Sequence, residues 1–115
     1  MARVVLPSYV PRPPKQHSRR SCPGHRAWVR KHYCSVPGCK RMPVECAQVR
    51  VGADGGVGLK PSDCWAISLC EHHHREQHSI GERAFEERYD IDLSEIAREF
   101  ARRSPYALKL VICLS

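Results

Sequence analysis

Alternating apolar and polar residues predict two β-strands in the middle of the chain. Across residues 44–51, Val49 and Val51 fall on one face and Gln48 on the other, which is the pattern of a half-buried strand. Residues 64–69 form a second apolar run of strand length. The stretch between them has four glycines in nine residues, which predicts a flexible turn.

Helical patterns flank these strands. Residues 25–33 are expected to form a short helix that packs Trp28 against the domain, and residues 71–79 and 82–89 to form two more. Asp92-Leu-Ser-Glu95 has the form of a capping box, which predicts the start of a last helix. Apolar residues at helical spacing are then expected to face the core: Leu93, Ile96, Ala97 and Phe100.

Length and composition indicate one small α+β domain. With 115 residues, of which 7% are aromatic, the chain buries a small core that a structural metal would help to stabilise. Early prolines predict an extended arm over residues 1–24, followed by a folded domain over residues 25–104. The apolar tail, residues 105–115, is expected to add a strand or contact a partner, and it is too short to cross a membrane.

Two spaced pairs of soft ligands predict a closed zinc site. Cys34 and Cys39 form a knuckle, while Cys70 and His73 lie where a strand passes into a helix, so together they offer four tetrahedral ligands. The alternatives are disulfides or free thiols. The odd number of seven cysteines and the absence of a signal-like apolar run at the N-terminus favour the metal. The other cysteines are interpreted as unreactive thiols: Cys22, Cys46, Cys64 and Cys113.

His74 and His78 remain outside this closed site. They are four residues apart, so on a helix they project from the same face about one turn apart. Such a pair can bind a second ion with open positions, here Mg²⁺, Mn²⁺ or Zn²⁺, and an open ion beside a closed one indicates metal-assisted hydrolysis. The alternative is a solvated helix face.

Positive charge is concentrated at the N-terminus. Residues 1–31 carry eight Lys or Arg residues and no acidic residue, in a chain whose net charge is +7. Such a segment attracts phosphates in a salt-dependent manner, so DNA is the expected partner; the alternative is a solubilising tail. No membrane partner is expected, and the oligomeric state is left open, with a monomer as one option. The expected DNA contacts are Arg12, Lys15, Arg19, Arg20, Arg26, Arg30 and Lys31.

Taken in order, these features resemble the HNH, or His-Me finger, endonucleases, and within them the phage and prophage branch that includes the recombination-enhancement nuclease. The resemblance covers roughly residues 25–104. It implies a ββα-metal fold that holds one divalent ion and cuts DNA phosphodiester bonds by water attack, in the cytoplasm of a bacterium or a phage-infected host. The motifs that carry it are Cys34-x4-Cys39, the first strand, the Gly-rich loop, Lys60-Pro-Ser-Asp63, Ser68-Leu-Cys70, His73-His74-x3-His78 and Gly81-Glu.

The resemblance also assigns roles to residues of the site. It implies that His74 and His78 hold the catalytic ion, and it puts Gln48 where the family has the histidine that acts as general base. A neutral amide cannot take a proton near pH 7, a role that contributes about 10²–10⁴-fold to a rate, so impaired cleavage is expected. Asp63 is the nearest polar residue that would orient the site, because Trp65 occupies the family's asparagine position.

Three functions fit these residues. The first is a metal-dependent DNA endonuclease of HNH type with impaired activity, the second a zinc-containing DNA-binding module that does not cut, and the third a zinc-stabilised protein-interaction domain. The open pair formed by His74 and His78 argues against the third, because a purely structural module has no use for it. Gln48 separates the first two.

The charge distribution predicts that the arm anchors DNA. Deletion of residues 1–20 should weaken DNA binding and flatten its salt dependence, each lost phosphate contact lowering the slope of log K against log salt by about 0.9 on duplex DNA. Fluorescence anisotropy at several salt concentrations measures both quantities. A full-length variant with the deleted basic residues changed to glutamine separates charge from chain length. Equal slopes for all three proteins would exclude the arm as the anchor.

Overall fold

The computed structural model describes residues 6–11, 21–50 and 62–114, except for the side chains of residues 111–114. Within these ranges it has five helices and one two-stranded sheet, so the α+β class is confirmed. The elements in order are helix α1 (Pro23–Val29), strand β1 (Val44–Gln48), a 3₁₀ turn (Asp63–Trp65), strand β2 (Ala66–Cys70) and helices α2 (Glu71–Ile80), α3 (Glu82–Tyr89), α4 (Leu93–Arg103) and α5 (Ala107–Leu114).

The two strands pair antiparallel and are shorter than the sequence pattern predicts. Val44 lies opposite Cys70 and Gln48 opposite Ala66. The predicted first strand continues to residue 51, whereas β1 ends at Gln48, and residue 51 lies outside the described residues. The predicted second strand begins at Cys64, which instead belongs to the 3₁₀ turn that precedes β2. The ends of a strand or helix are less well defined by the sequence pattern than its centre, and tertiary contacts shift them most easily.

Strand β2 is the centre of the packing. All five of its residues are buried, and helices α1, α2 and α4 pack against it. A strand covered on both faces presents apolar residues continuously rather than in alternation. This burial explains why β2 appears in the sequence as an unbroken apolar run.

The helix boundaries follow local chemistry. Helix α2 begins directly after β2, with Glu71 in its first turn, where a negative charge is favourable. Gly81 separates α2 from α3 with a φ of +87°, a conformation that side chains disfavour. The predicted cap of α4 is confirmed, since Asp92 Oδ1 accepts a hydrogen bond from the backbone N–H of Glu95 at 3.1 Å. Leu93 and Ala97 of the predicted apolar face are fully buried.

The prediction of a strand in the C-terminal tail is wrong, because α5 occupies this segment. Ser104 Oγ accepts a hydrogen bond from the backbone N–H of Tyr106 at 3.0 Å, as a helix-capping serine does, and Pro105 fits the first position that follows. Leu110 then packs into the core. Within the part of the chain that the structure describes, no helix is both long and apolar enough to cross a lipid bilayer.

Helix α1 is shorter than the predicted 25–33 helix and is attached to α4 through a buried histidine. His25 is fully buried, and its Nδ1 lies 2.8 Å from Ser104 Oγ, while its Nε2 has no hydrogen-bond partner. Burial lowers the pKa of His25, and the nearby carboxylate of Asp63 only partly opposes this. The neutral imidazole is therefore the form that the fold stabilises.

This histidine predicts a loss of stability in acid. The unfolded chain binds the proton more tightly than the fold does, so the contribution of His25 is fully present above about pH 6.5 and falls as the pH drops below that value. His25→Asn, which does not titrate in this range, should show a smaller acid loss than the wild type. Urea unfolding at a series of pH values measures the free energy of unfolding of both proteins. If the free energies of unfolding of the two proteins fall in parallel as the pH drops, the prediction is wrong. Loss of metal in acid affects both proteins alike and so does not produce a difference between them.

Candidate metal centre

The structure brings the four predicted zinc ligands together. Cys34 and Cys39 come from the loop after α1, Cys70 is the last residue of β2, and His73 lies in the first turn of α2. Their ligand atoms all lie within 4.8 Å of one another. The fold thus brings three separate pieces of the chain together at one point.

The distances between these atoms suit a tetrahedral ion. Zinc bonds of about 2.3 Å to sulfur and about 2.0 Å to nitrogen put two sulfurs about 3.8 Å apart and a sulfur and a nitrogen about 3.5 Å apart. The Sγ atoms of Cys39 and Cys70 are 3.9 Å apart. His73 Nδ1 lies 3.4 Å from Cys34 Sγ and 3.2 Å from Cys70 Sγ. The cluster could therefore hold a metal ion such as zinc.

Two hydrogen bonds to backbone carbonyls fix the knuckle loop against β2. The N–H of Ser35 donates to the carbonyl oxygen of Ser68 at 2.8 Å, and Ser68 Oγ donates to the carbonyl oxygen of Tyr33 at 2.7 Å. Gly38 has a φ of +78°, which allows the chain to reverse just before Cys39. The knuckle is thus positioned by the sheet as well as by its own turn.

Burial acts against the charged forms of these ligands, but at Cys39 it is outweighed by hydrogen bonds from the Arg41 backbone and the neighbouring thiols, which lower the pKa of that thiol. Burial raises the pKa of the Cys34 thiol to about 11. It also lowers the pKa of His73, an effect that the neighbouring His72 reinforces, so the imidazole is neutral and its lone pair is free to bind. A thiol binds metal as the thiolate, so binding here must release protons, and a divalent cation supplies the charge that stabilises the thiolates.

The described cysteines carry free thiols, which speaks against a disulfide framework in that part of the chain. Outside the cluster, Cys22 and Cys64 are buried. Burial, together with the carboxylate of Asp63, raises the pKa of Cys46 to about 11. Cys46 is therefore a weak nucleophile, in line with the interpretation of these residues as unreactive thiols. The side chain of Cys113 lies outside the described residues.

His74 and His78 form a second pair on α2, in which His74 is half-buried and His78 is exposed. Their Nε2 atoms lie 3.3 Å apart, close to the separation of about 3.4 Å expected for two imidazoles on one tetrahedral ion. Among the described residues, the group of three or more metal-ligating side chains is the Cys/His cluster, so this pair offers two ligands and leaves other positions open. Both histidines line an open cleft together with Pro43, Glu45, Glu71, Arg75 and Ser79.

Glu45, which is not among the residues predicted from the sequence, lies beside this pair. Its Oε1 is 3.8 Å from Nδ1 of His74, the ring nitrogen on the side away from His78. Glu45 shares a strand face with Ala47 and Val49, both of which are fully buried. A carboxylate in register with two core residues was the signal that could have identified it.

Gln48 and Asp63 contact each other close to His78 of the histidine pair. Gln48 Nε2 donates to Asp63 Oδ1 at 3.5 Å, and Gln48 lines a cleft with Gln77 and His78. The other carboxylate oxygen, Oδ2, accepts from the backbone N–H of Cys22 at 2.6 Å. Asp63 is 5% exposed, so these bonds hold it in place.

The predicted DNA contacts divide into two groups. Arg30 and Lys31 are exposed at the end of α1, whereas Arg26 lies 3.7 Å from Asp63 Oδ2, so part of its charge is compensated. The remaining four lie outside the described residues: Arg12, Lys15, Arg19 and Arg20.

Comparison with known proteins gives a family and one curated relative. A family model described as "Protein of unknown function (DUF968)" matches residues 6–106. The chain is 33% identical over 92 residues to "Uncharacterized protein YdfU" of Escherichia coli (strain K12), a match that covers 75% of this chain and 26% of YdfU. The chain therefore spans about a quarter of the length of that relative. No solved structure matches the chain.

The assignment to the HNH endonucleases is wrong. The family model that matches is a different one, and neither it nor YdfU indicates an HNH nuclease. The physical reason is that zinc imposes the same ligand types and short spacings on unrelated chains, so the knuckle and the Cys-x2-His pair identify a metal site better than a family. Gln48, at the position of the family's base, was the clearest departure.

The cluster predicts one tightly bound zinc per chain. Cys34→Ser should lose zinc and unfold, because binding free energy at such a site is folding free energy. Cys46→Ser, which makes the same chemical change outside the cluster, should keep both metal and fold. Elemental analysis and circular dichroism measure these outcomes. Folded wild-type protein without metal, or with a disulfide between Cys34 and Cys39, would contradict the prediction.

Proposed function

The chain belongs to the DUF968 family, and from its two groups of metal-ligating residues we propose that it is a zinc-stabilised, metal-dependent hydrolase of DNA phosphodiester bonds, impaired by Gln48. The observation that carries the proposal is the 3.3 Å approach of His74 Nε2 and His78 Nε2 next to the Cys/His cluster. Two such ligands leave positions for water and substrate oxygens, which a closed structural site does not.

In this proposal β1, β2 and α2 form a strand–strand–helix metal unit. Cys70 and His73 fix the start of α2 on the closed site, and the same helix carries His74 as the next residue and His78 one turn further along. A divalent ion, Mg²⁺, Mn²⁺ or Zn²⁺, would stabilise negative charge on the departing oxygen. Because the closed site orients the helix, it would also set the direction from which the two imidazoles approach the ion.

The proposal places proton transfer at the end of β1. Gln48 and His78 line one cleft, and Asp63 accepts a hydrogen bond from the Gln48 amide. A histidine at position 48 could donate to the same carboxylate and take a proton with its other nitrogen, which an amide cannot do. Gln48 can hold a water by hydrogen bonding but does not activate it.

Positive charge near the cleft supports a polyanionic substrate. Arg50 and Arg83 are exposed and line the cleft of Gln48 and His78. The basic segment of residues 1–31 adds eight positive side chains on the N-terminal side. Salt-dependent attraction of DNA phosphates follows from such a distribution.

A second candidate function has its own observation. Gln48 is a neutral residue held by a buried carboxylate, and this favours a zinc-containing module that binds DNA without cutting it. Both functions use the same DNA-binding side chains. They differ in whether the position next to the histidine pair can accept a proton.

Substitution at position 48 tests the proposal. Gln48→His should raise metal-dependent DNA cleavage by about 10²–10⁴-fold while DNA affinity changes little, because only the proton acceptor is new. Plasmid nicking with Mg²⁺, Mn²⁺ or Zn²⁺ measures the rate, and anisotropy measures the affinity.

Two further variants serve as controls. His74→Ala added to Gln48→His should abolish cleavage again, since it removes one of the two ligands. Gln48→Asn, a smaller amide, should remain inactive. If folded, zinc-loaded Gln48→His protein stays inactive with each metal on duplex and single-stranded DNA, the hydrolase proposal fails and the non-cutting module replaces it.

A further inference from the structure

Glu45 lies on the side of strand β1 that faces helix α2. Side chains alternate along a strand, so Glu45 shares its face with Ala47 and Val49, which are fully buried. Glu45 lies at the edge of this face and is 46% exposed, so its carboxylate is free to turn towards a neighbouring polar group. The partner here is His74, whose Nδ1 lies 3.8 Å from Glu45 Oε1.

The two nitrogens of His74 have different neighbours. Nε2 faces His78 Nε2 at 3.3 Å, on the side of the candidate ion, whereas Nδ1 faces the carboxylate of Glu45. A metal-ligating histidine commonly donates its second ring N–H to a carboxylate, which fixes the tautomer and makes the ring a stronger ligand. A movement of about 1 Å would bring Glu45 to hydrogen-bond distance of about 2.8 Å.

The geometry points to Glu45 as a positioning residue that sets the affinity of the open site for its divalent ion by holding His74 with Nε2 unprotonated. This inference rests on the proposed function, because it assumes that His74 and His78 bind an ion. It assigns to β1 a role in the metal site that the spacing of the ligands alone does not indicate. Glu45 acts through His74 and does not itself bind the ion.

Another carboxylate in the cleft provides a matched control. Glu71 lines the same cleft, and its side chain is 56% exposed, against 46% for Glu45. It pairs with Arg75 at 2.6 Å rather than with a histidine. Glu71→Gln therefore removes the same charge from the same cleft without touching His74.

The test measures affinity for Zn²⁺ in protein that already carries one zinc, by calorimetry at fixed pH. Glu45→Gln should weaken binding of the second zinc by about 10–100-fold. Glu71→Gln should weaken it less than about fivefold, because it removes only an exposed, screened charge. An effect of Glu45→Gln no larger than that of Glu71→Gln would overturn the inference.

Cobalt distinguishes a positioning residue from a ligand. Visible absorption of Co²⁺ at saturation should have the same band positions in Glu45→Gln as in the wild type, because the ligands are unchanged; shifted bands would make Glu45 a ligand and overturn its positioning role. If the wild type binds no second ion, the proposed function and this inference both fail. If the wild type binds it and Glu45→Gln binds it equally well, only this inference fails.

Discussion

The convergence of Cys34, Cys39, Cys70 and His73 on one point is the constraint on which the rest of the fold depends. Three thiols and an imidazole lie within 4.8 Å of one another, and thiols make only weak hydrogen bonds. The burial that raises the pKa of Cys34 also disfavours isolated thiolates. A divalent ion bound by these four residues would resolve this conflict and tie the knuckle loop, the end of β2 and the start of α2 together. In a chain with a small core, such a link fixes the direction in which α2 leaves the sheet.

The direction of α2 in turn determines what the helix offers to the cleft. His73 faces inwards to the closed cluster, so His74, the next residue, projects to a different side and meets His78 one turn later. The helix start that carries His73 of the cluster thus also sets the position of the His74 and His78 pair. Contacts of α2 with β1, β2 and α3 hold the helix in this direction, with His74 half-buried and His78 exposed in an open cleft.

Strand β1 contributes to the site from both of its faces. Glu45 faces His74, whereas Gln48, three residues later, points to the opposite face and meets Asp63. Asp63 is itself held by the backbone of Cys22 and lies close to Arg26. The strand therefore joins the histidine pair to a buried carboxylate, and a neutral amide occupies the position between them. In the proposed function, this combination would leave a metal-binding pair without a proton acceptor beside it.

The sequence by itself determined the features that depend on local spacing. The α+β class, the helices that became α2, α3 and α4, the cap at Asp92 and the four cluster ligands followed from periodicity, capping chemistry and ligand spacing, which act over a few residues. The sequence also led to a wrong family, because the same short motifs suit any chain that binds zinc.

Tertiary structure alone decided what depends on residues far apart in the chain. The end of β1 at Gln48, the helical conformation of the tail, the buried bond between His25 and Ser104, and the approach of Glu45 to His74 all arise from packing between elements. A sequence pattern can place a residue such as Glu45 on one face of a strand, but the partner that it meets is decided only when the chain folds.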